Sequence, residues 1–558
     1  MSDRIDRRSF LARGAATGAG LAAVSVSGGL LAACGSSGSS GSGGSGSTGT
    51  HPDGVSTATP KKGGQLVIGV EAEEKGFSPT LGTFDTTGIM YARTVFDPLM
   101  IIDASGKPQP YLAESVTPNA DFTVWTITVR SGVTFHNGAP CDGAAVAANL
   151  QAHRDSLLTS TTVKPIASLA SSGQTCTVTM SSPWVPFDYY LTGGIGSQIA
   201  FVAEPTWLKS GSQTNPVGTG PFVFQEWVPN DHFTATKNPH YWRAGMPYLD
   251  SVTYKPIPDS NQLLSSLQSG SVDIIHTSAA EVTKAMRADT SLAYVDDATK
   301  IAGEPDMDCL ILNLSKAPFN NLKVRQAAAY AIDSAQYVKV INYGVNPTSN
   351  GPFPKSSPYW LADNGYPTAN MSKAKQLVAE AAKETGGPIK VDLACVSTPG
   401  SQRVAQYIQQ QLQTAGMQVT INAIQQVSYI NNALTGNFDA QLWRQFGAVA
   451  PDLNYIFWSP TTVTGGFSIN MARNTDPDMQ AALVQGRQAT SSSDQVSAYQ
   501  SVNRLMSRDL PYIWYGQTVW SIGAKENVQN FNGPTTPAGQ KAFGMISGAF
   551  WPTTTWKS

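Results

Sequence analysis

Residues 35–50 are glycine, serine and threonine only, and the stretch to Pro60 adds no apolar run. Such a chain cannot bury apolar surface and behaves as a flexible coil. It divides the molecule into a short leader, residues 1–34, and a body of about 500 residues beginning near Pro60. A coil of this length reaches roughly 25–30 Å on average, at about 5–6 Å × √n. The body is too long for one hydrophobic core, so two or three lobes are expected. Its composition suits a folded protein, because 41% of the chain is apolar and 14% is charged.

The leader reads Arg7-Arg8-Ser9-Phe10-Leu11, then a weakly apolar stretch, then Leu31-Ala32-Ala33-Cys34. Two arginines, one residue and Phe-Leu are similar to a twin-arginine export signal. Glycines and Arg13 within residues 12–33 make poor material for a membrane span, which needs roughly 20 predominantly apolar residues. Leu-Ala-Ala-Cys resembles the bacterial lipobox, in which Cys34 carries the lipid and becomes the mature N-terminus. The expected product is a lipid-anchored body outside the cytoplasmic membrane, tethered by residues 35–60. No other long apolar run exists. A net charge of −2 without a basic block argues against a nucleic-acid partner. Outside the cytoplasm the remaining cysteines can pair. Cys141–Cys176 and Cys309–Cys395 is the expected connectivity, each pair within one lobe, with four buried thiols as the alternative.

Along the body, Gly64–Val70, residues 122–129, Thr175–Met180 and Pro221–Val228 alternate as strands. Tyr91–Met100 reads as a helix running into a turn at Asp97-Pro98. Asp142–Arg154 reads as a helix with Asp142 near its N-cap. Asn137-Gly138 is a turn signal. From residue 373 to 443 helical and strand patterns alternate: 373–385, 389–396, 402–415, 418–423, 427–434 and 440–443. That rhythm belongs to an α/β sheet lobe.

Several separated stretches then carry a family likeness. They are Gly63-Gly64-Gln65-Leu66-Val67, Phe96-Asp97-Pro98-Leu99, Tyr111-Leu112-Ala113-Glu114-Ser115 and the run Val129 to Gly138. Asn215 to Phe222, Asn238-Pro239-His240-Tyr241-Trp242, Asn313 to Phe319 and Val324-Arg325-Gln326-Ala327 follow in order. Together they resemble the family-5 extracytoplasmic solute-binding proteins of bacterial ABC importers, which bind oligopeptides, dipeptides and nickel. The resemblance implies a two-lobed periplasmic-binding-protein fold with a hinge and an extra subdomain in the first lobe. Lobe I would use 60–97, 206–308 and 513–558, the subdomain 98–205, and lobe II 309–512. The ligand would lie between the lobes, and the body would act as a monomer that delivers its solute to the permease subunits. In that reading His136 is a scaffold residue.

Motifs of catalysis are missing. The six histidines show no metal spacing, Gly194-Ile195-Gly196 has Ile199 where a dinucleotide loop needs glycine, and no serine sits in a nucleophile elbow. No enzyme activity, metal or cofactor is expected. A binder needs aromatic platforms and a few placed polar groups. The candidates are Trp443, Arg444, Phe446, Tyr455, Trp458, Tyr512 and Trp514, with Thr83, Phe84 and Asp85 from lobe I's first loop. In peptide-binding relatives an acidic residue after the tryptophan holds the ligand's α-amino group. Here that place falls to Phe446, and no carboxylate occurs from Trp443 to Pro451. An unpaired buried ammonium is costly, so Asp85 is the candidate replacement. Arg444 is the candidate for a carboxylate or phosphate. An oligopeptide is the first expectation for the ligand. An oligosaccharide or amphipathic solute, a non-transport surface lipoprotein and an exported hydrolase remain as alternatives.

Overall fold

Two sheets organise the body. The first has seven strands in the order Leu292–Asp296, Ser521–Lys525, Ile274–Thr277, Gln65–Val70, Ser251–Pro256, His232–Lys237, Phe222–Val228. Gln65–Val70 lies at its centre, parallel to both neighbours. The alternation expected of Gly64–Val70 gives way to burial of Leu66 and of every residue from Ile68 to Val70, because both faces of the strand are covered. The second sheet has five strands in the order Gln418–Ile424, Lys390–Val396, Ala440–Gln445, Met307–Leu312, Tyr512–Gln517. This computed structural model describes residues 53–194, 196–297, 305–463 and 466–558. The expected export signal and the expected lipidation site at Cys34 lie outside the described residues.

Local rules explain the elements. In helix Met371–Thr385 the buried residues are Ala374, Leu377, Val378 and Ala381, a helical stripe, and the helix stops at Gly386, whose φ of 73° suits glycine. This helix, Leu322–Ala331 and Pro399–Thr414 cover one face of the five-stranded sheet. Pro477–Gln488 and Ser492–Asp509 cover the other. The helix expected over 91–100 is displaced to Thr86–Val95. Asp85 starts it by accepting from Gly88 N–H at 3.1 Å. Pro98 ends it, because the residue before a proline avoids helical backbone and Phe96 is already extended.

The chain crosses between the sheets after Leu292–Asp296 and again between Tyr512–Gln517 and Ser521–Lys525. The crossovers are tied to each other. Thr518 N–H donates to Asp306 O (2.8 Å), Asp297 N–H to Trp520 O (3.0 Å), and Trp520 N–H to Asp297 Oδ1 (3.0 Å). Two crossovers tied side by side between two lobes are the form of a hinge.

A third unit is a four-stranded antiparallel sheet, Ala113–Pro118, Val124–Val129, Thr175–Met180 and Ile166–Ser172, packed on helix Gly143–Asp155. Its helix begins as the sequence predicts, with Asp142 accepting from Ala145 N–H at 3.0 Å. His136 bridges it to the first sheet. Gly218 N–H donates to its Nδ1 (3.4 Å) and its Nε2 lies 3.0 Å from Gly220 O, so the ring is neutral. Burial lowers its pKa to about 4.

The expected disulfides do not form: Cys141, Cys176, Cys309 and Cys395 are free, buried thiols. Cys309 and Cys395 sit on strands separated by Ala440–Gln445, and they face different cores. Two strand spacings are roughly 9–10 Å, beyond the ~7 Å that a disulfide spans between Cα atoms. Cys141 and Cys176 pack as small apolar groups, and burial pushes the Cys176 thiol up to about 11.

His153, in the last turn of Gly143–Asp155, is fully buried with Nδ1 3.0 Å from Thr159 Oγ1. Burial lowers its pKa to about 3, against about 6.5 for an exposed histidine. The neutral ring therefore stabilises the fold above pH ~6.5, and that contribution fades as pH falls toward 3. At pH 4.5 the wild-type chain should have lost up to about 3 kcal/mol through this residue. His153→Gln should show a correspondingly shallower pH dependence in urea unfolding at pH 7 and 4.5. Parallel profiles would rule His153 out as the cause.

Candidate functional site

Arg444 stands one residue before the end of strand Ala440–Gln445, where the five-stranded sheet faces the crossovers. Its Nε is 3.4 Å from Asp306 Oδ2, and its guanidinium carbon is 4.5 Å from the centre of the Trp520 ring. Asp306 is the hub of this arrangement. Its side chain is fully buried, while that of Arg444 is 32% exposed. Oδ1 accepts from Gly447 N–H and from Ser547 Oγ (3.0 Å), and Oδ2 accepts from Trp520 Nε1 (2.7 Å). One carboxylate thereby joins both crossovers, the loop beyond residue 446 and the C-terminal segment.

The wall opposite comes from the ends of the seven-stranded sheet. His276 stacks on Trp520 with ring centres 5.4 Å apart and planes 1° from parallel. Its Nε2 accepts from Glu71 N–H at 3.3 Å, and burial lowers its pKa to about 4, so it is neutral. The Glu71 carboxylate accepts from Thr277 Oγ1 (2.6 Å), Ser278 N–H (2.7 Å) and Ser278 Oγ (3.0 Å). Asp85 is half-buried at the start of its helix. Loss of solvent raises its pKa, the Gly88 and Thr87 N–H groups oppose this, and Arg444 and Glu71 act with opposite signs. Glu74 lies beside it, and burial followed by the Asp85 charge holds its carboxyl well above the usual range.

Arg444 has a fixed end and an open end. Nε is buried 3.4 Å from Asp306 Oδ2, an ionic contact without a hydrogen bond, and the terminal nitrogens of this 32% exposed side chain make no hydrogen bond among the described residues. A guanidinium so held presents a planar fork suited to a carboxylate. Among the described residues no group of three or more His, Cys, Asp or Glu is placed to hold a metal ion. None of their helices is long and apolar enough to cross a membrane. Two surface concavities, about 280 Å³ beside Arg154 and Lys164 and about 710 Å³ along Lys390, Asp392, Gln418 and Asn422, include none of these residues.

The remaining candidates from the sequence separate into two groups. Trp443 is half-buried and stacks on Tyr429 at 5.7 Å. Phe446 packs against the core of the seven-stranded lobe and lies 5.9 Å from Phe457. Thr83 is half-buried ahead of Asp85. Trp458, Tyr512 and Trp514, by contrast, are core residues between the five-stranded sheet and its two C-terminal helices. Tyr512 and Trp514 stack on each other at 5.1 Å. Phe84 is core too, edge-on to Phe201. Tyr455 is occupied by Gln480 Nε2 (2.7 Å) and by the Arg487 guanidinium 3.5 Å above its ring. Aromatic density in a sequence does not separate a platform from a core.

Sequence reasoning passed over Asp306, Trp520, His276 and Glu71. One signal was available for Asp306: two aspartates flank Met307 at the start of an apolar strand, and a carboxylate there is buried only when paired.

Residues 107–467 match the family model described as bacterial extracellular solute-binding proteins, family 5 (middle). A glutathione-binding protein of Pectobacterium atrosepticum is 25% identical over 453 residues, 77% of this chain and 84% of that protein. The nickel-binding periplasmic protein of Escherichia coli K12 is 27% identical over 71% of this chain and 76% of its own length. In structure, the Agrobacterium tumefaciens R10 protein AgaA with agropinic acid superposes with a TM-score of 0.78, at 23% identity, over 89% of this chain and 99% of AgaA. The Bacillus subtilis oligopeptide-binding protein AppA with a nonapeptide does so at 0.77 and 20%, over 90% and 100%.

Proposed function

Because the chain belongs to the bacterial extracellular solute-binding proteins of family 5, we propose that it is the lipid-anchored capture component of an ABC importer and that its solute is a peptide or peptide-like acid. Solute binding on a two-lobed frame is common to the family. The anchor at Cys34 rests on the sequence of the leader. The acid rests on one observation: Arg444 lies against Asp306 and the Trp520 ring, and its partly exposed guanidinium has no hydrogen-bond partner for its terminal nitrogens among the described residues. Asp85, on the facing wall and within electrostatic reach of Arg444, is the counter-group for a ligand ammonium. Phe446 places apolar surface where peptide-binding relatives place an acid. The relatives' named ligands, glutathione, a nonapeptide and agropinic acid, are consistent with a carboxylate-bearing solute.

Isothermal titration of the full chain with glutathione and with short peptides, each compared with its C-terminal amide, tests this. The free acid should bind at least tenfold more tightly than the amide. Equal affinity for acid and amide would remove the carboxylate from the recognition scheme.

A further inference from the structure

The lobes also touch away from Arg444. The loop leaving strand Ala440–Gln445 puts Ala448 and Leu453 into the core of the four-stranded unit. Asp452, in the same loop, is fully buried and pairs with Arg487 of helix Pro477–Gln488 at 3.0 Å. Both residues belong to the side of the five-stranded sheet. Tyr499, from that side, adds one hydroxyl to Asp452 Oδ1 at 3.3 Å. Their other polar partners come across the interface. Trp184 Nε1 donates to Asp452 Oδ2 (3.0 Å), Arg487 Nη2 to Tyr190 Oη (3.1 Å), and the Tyr190 hydroxyl to Asp452 O. Val185 N–H donates to Arg487 O (3.1 Å), and the guanidinium lies 4.8 Å from the Trp184 ring.

We propose that this pair is a closure latch, and that Asp452 and Tyr190 are positioning residues that set solute affinity without touching the solute. The ion pair travels with one lobe, while its polar caps travel with the four-stranded unit. With the lobes apart, water hydrates the pair. Bringing them together strips that water, which costs more than the pair's own attraction returns unless the remaining donors and acceptors are satisfied. Trp184, Tyr190 and Val185 satisfy them in this arrangement only. The latch therefore balances a desolvation cost against a set of hydrogen bonds, which keeps closing reversible. An ion pair that does cross between the lobes, Arg403 Nη2 with Glu281 Oε1 at 2.6 Å, is half-exposed and screened. Apparent affinity scales with the fraction of molecules able to close, so the latch acts on every solute alike. The inference rests on the hinged fold and not on the identity of the solute.

Distances between nitroxide labels test it. The full chain carrying Cys34→Ser, Ser172→Cys and Lys383→Cys takes labels on exposed sites of the two bodies, because its four native thiols are buried. Pulsed electron resonance then reports the closed and open distances, with no ligand and with 10 mM glutathione. Tyr190→Phe keeps the ring and removes only the hydroxyl. It should lower the closed-to-open ratio at least about fivefold, because the hydroxyl makes two hydrogen bonds across the interface and one typical hydrogen bond is already equivalent to that factor. Tyr499→Phe removes a hydrogen bond to the Asp452 carboxylate from within its own lobe, and should lower the unfolding temperature without changing that ratio. An unchanged ratio in Tyr190→Phe, an equal fall in Tyr499→Phe, or a wild-type chain that never shows the closed distance would each overturn the latch. Failure of glutathione to bind would touch only the choice of solute, since the ligand-free distances are read separately.

Discussion

Arg444→Gln should weaken binding of an acidic peptide by about 30- to 100-fold, the loss of roughly 2–3 kcal/mol of charge-assisted hydrogen bonding. Glutamine keeps one donor but neither the charge nor the fork. Arg444→Lys should recover only part of the loss, because an ammonium is a point charge and cannot bind a carboxylate bidentately. The amide of the same peptide should bind wild type and Arg444→Gln equally, since it has no carboxylate to lose. The side chain is 32% exposed, so the folded state should tolerate either change. Calorimetry on acid and amide with all three proteins gives the result. A change below threefold for the acid would remove Arg444 from the site.

Asp306→Ala should be the most destabilising single change in the region. It strips an acceptor from Trp520 Nε1, Ser547 Oγ and Gly447 N–H at once, and leaves Arg444 without its partner. Each buried donor left unsatisfied costs about 1–3 kcal/mol. With partial relaxation of the donors, a loss of about 3 kcal/mol or more in urea unfolding is expected. Asp306→Asn keeps an acceptor oxygen and should fold better, yet it should still loosen Arg444 and weaken the acid relative to the amide. An Asp306→Asn protein with wild-type discrimination would show that Arg444 is held by packing on Trp520 alone.

Much of the architecture could be read before any coordinate. The run of helix and strand patterns from 373 to 443 appears within about three residues at each boundary, because the segments are strongly periodic and the two longest helices are capped by Asn370 and Thr398. Asp142 was legible as an N-cap for the same reason. The helix near residue 90 was misplaced because it is buried on every side and shows no amphipathic stripe, so its start at Asp85 is set by a cap in an otherwise featureless stretch. That one displacement also changes what Asp85 is. A carboxylate that looked free to meet a ligand already has one oxygen committed to the helix it starts.

The candidate site was half legible. Arg444 and Phe446 stood out because they depart from a pattern within a single stretch of chain. Trp458, Tyr512 and Trp514 looked equally suitable, and burial between a sheet and two helices removes them. Cys309 and Cys395 fall the same way: an intervening strand and opposite faces, invisible in spacing, keep their sulfurs apart.

The sequence by itself determined the α/β character and the family, because these depend on short-range periodicity and ordered motifs. The tertiary structure alone decided which charges meet. Asp306 reaches Trp520 across 214 residues and Ser547 across 241, and Asp452 reaches Trp184 across 268. A buried carboxylate must find its donors wherever the fold brings them, and nothing in the neighbouring residues says where that is.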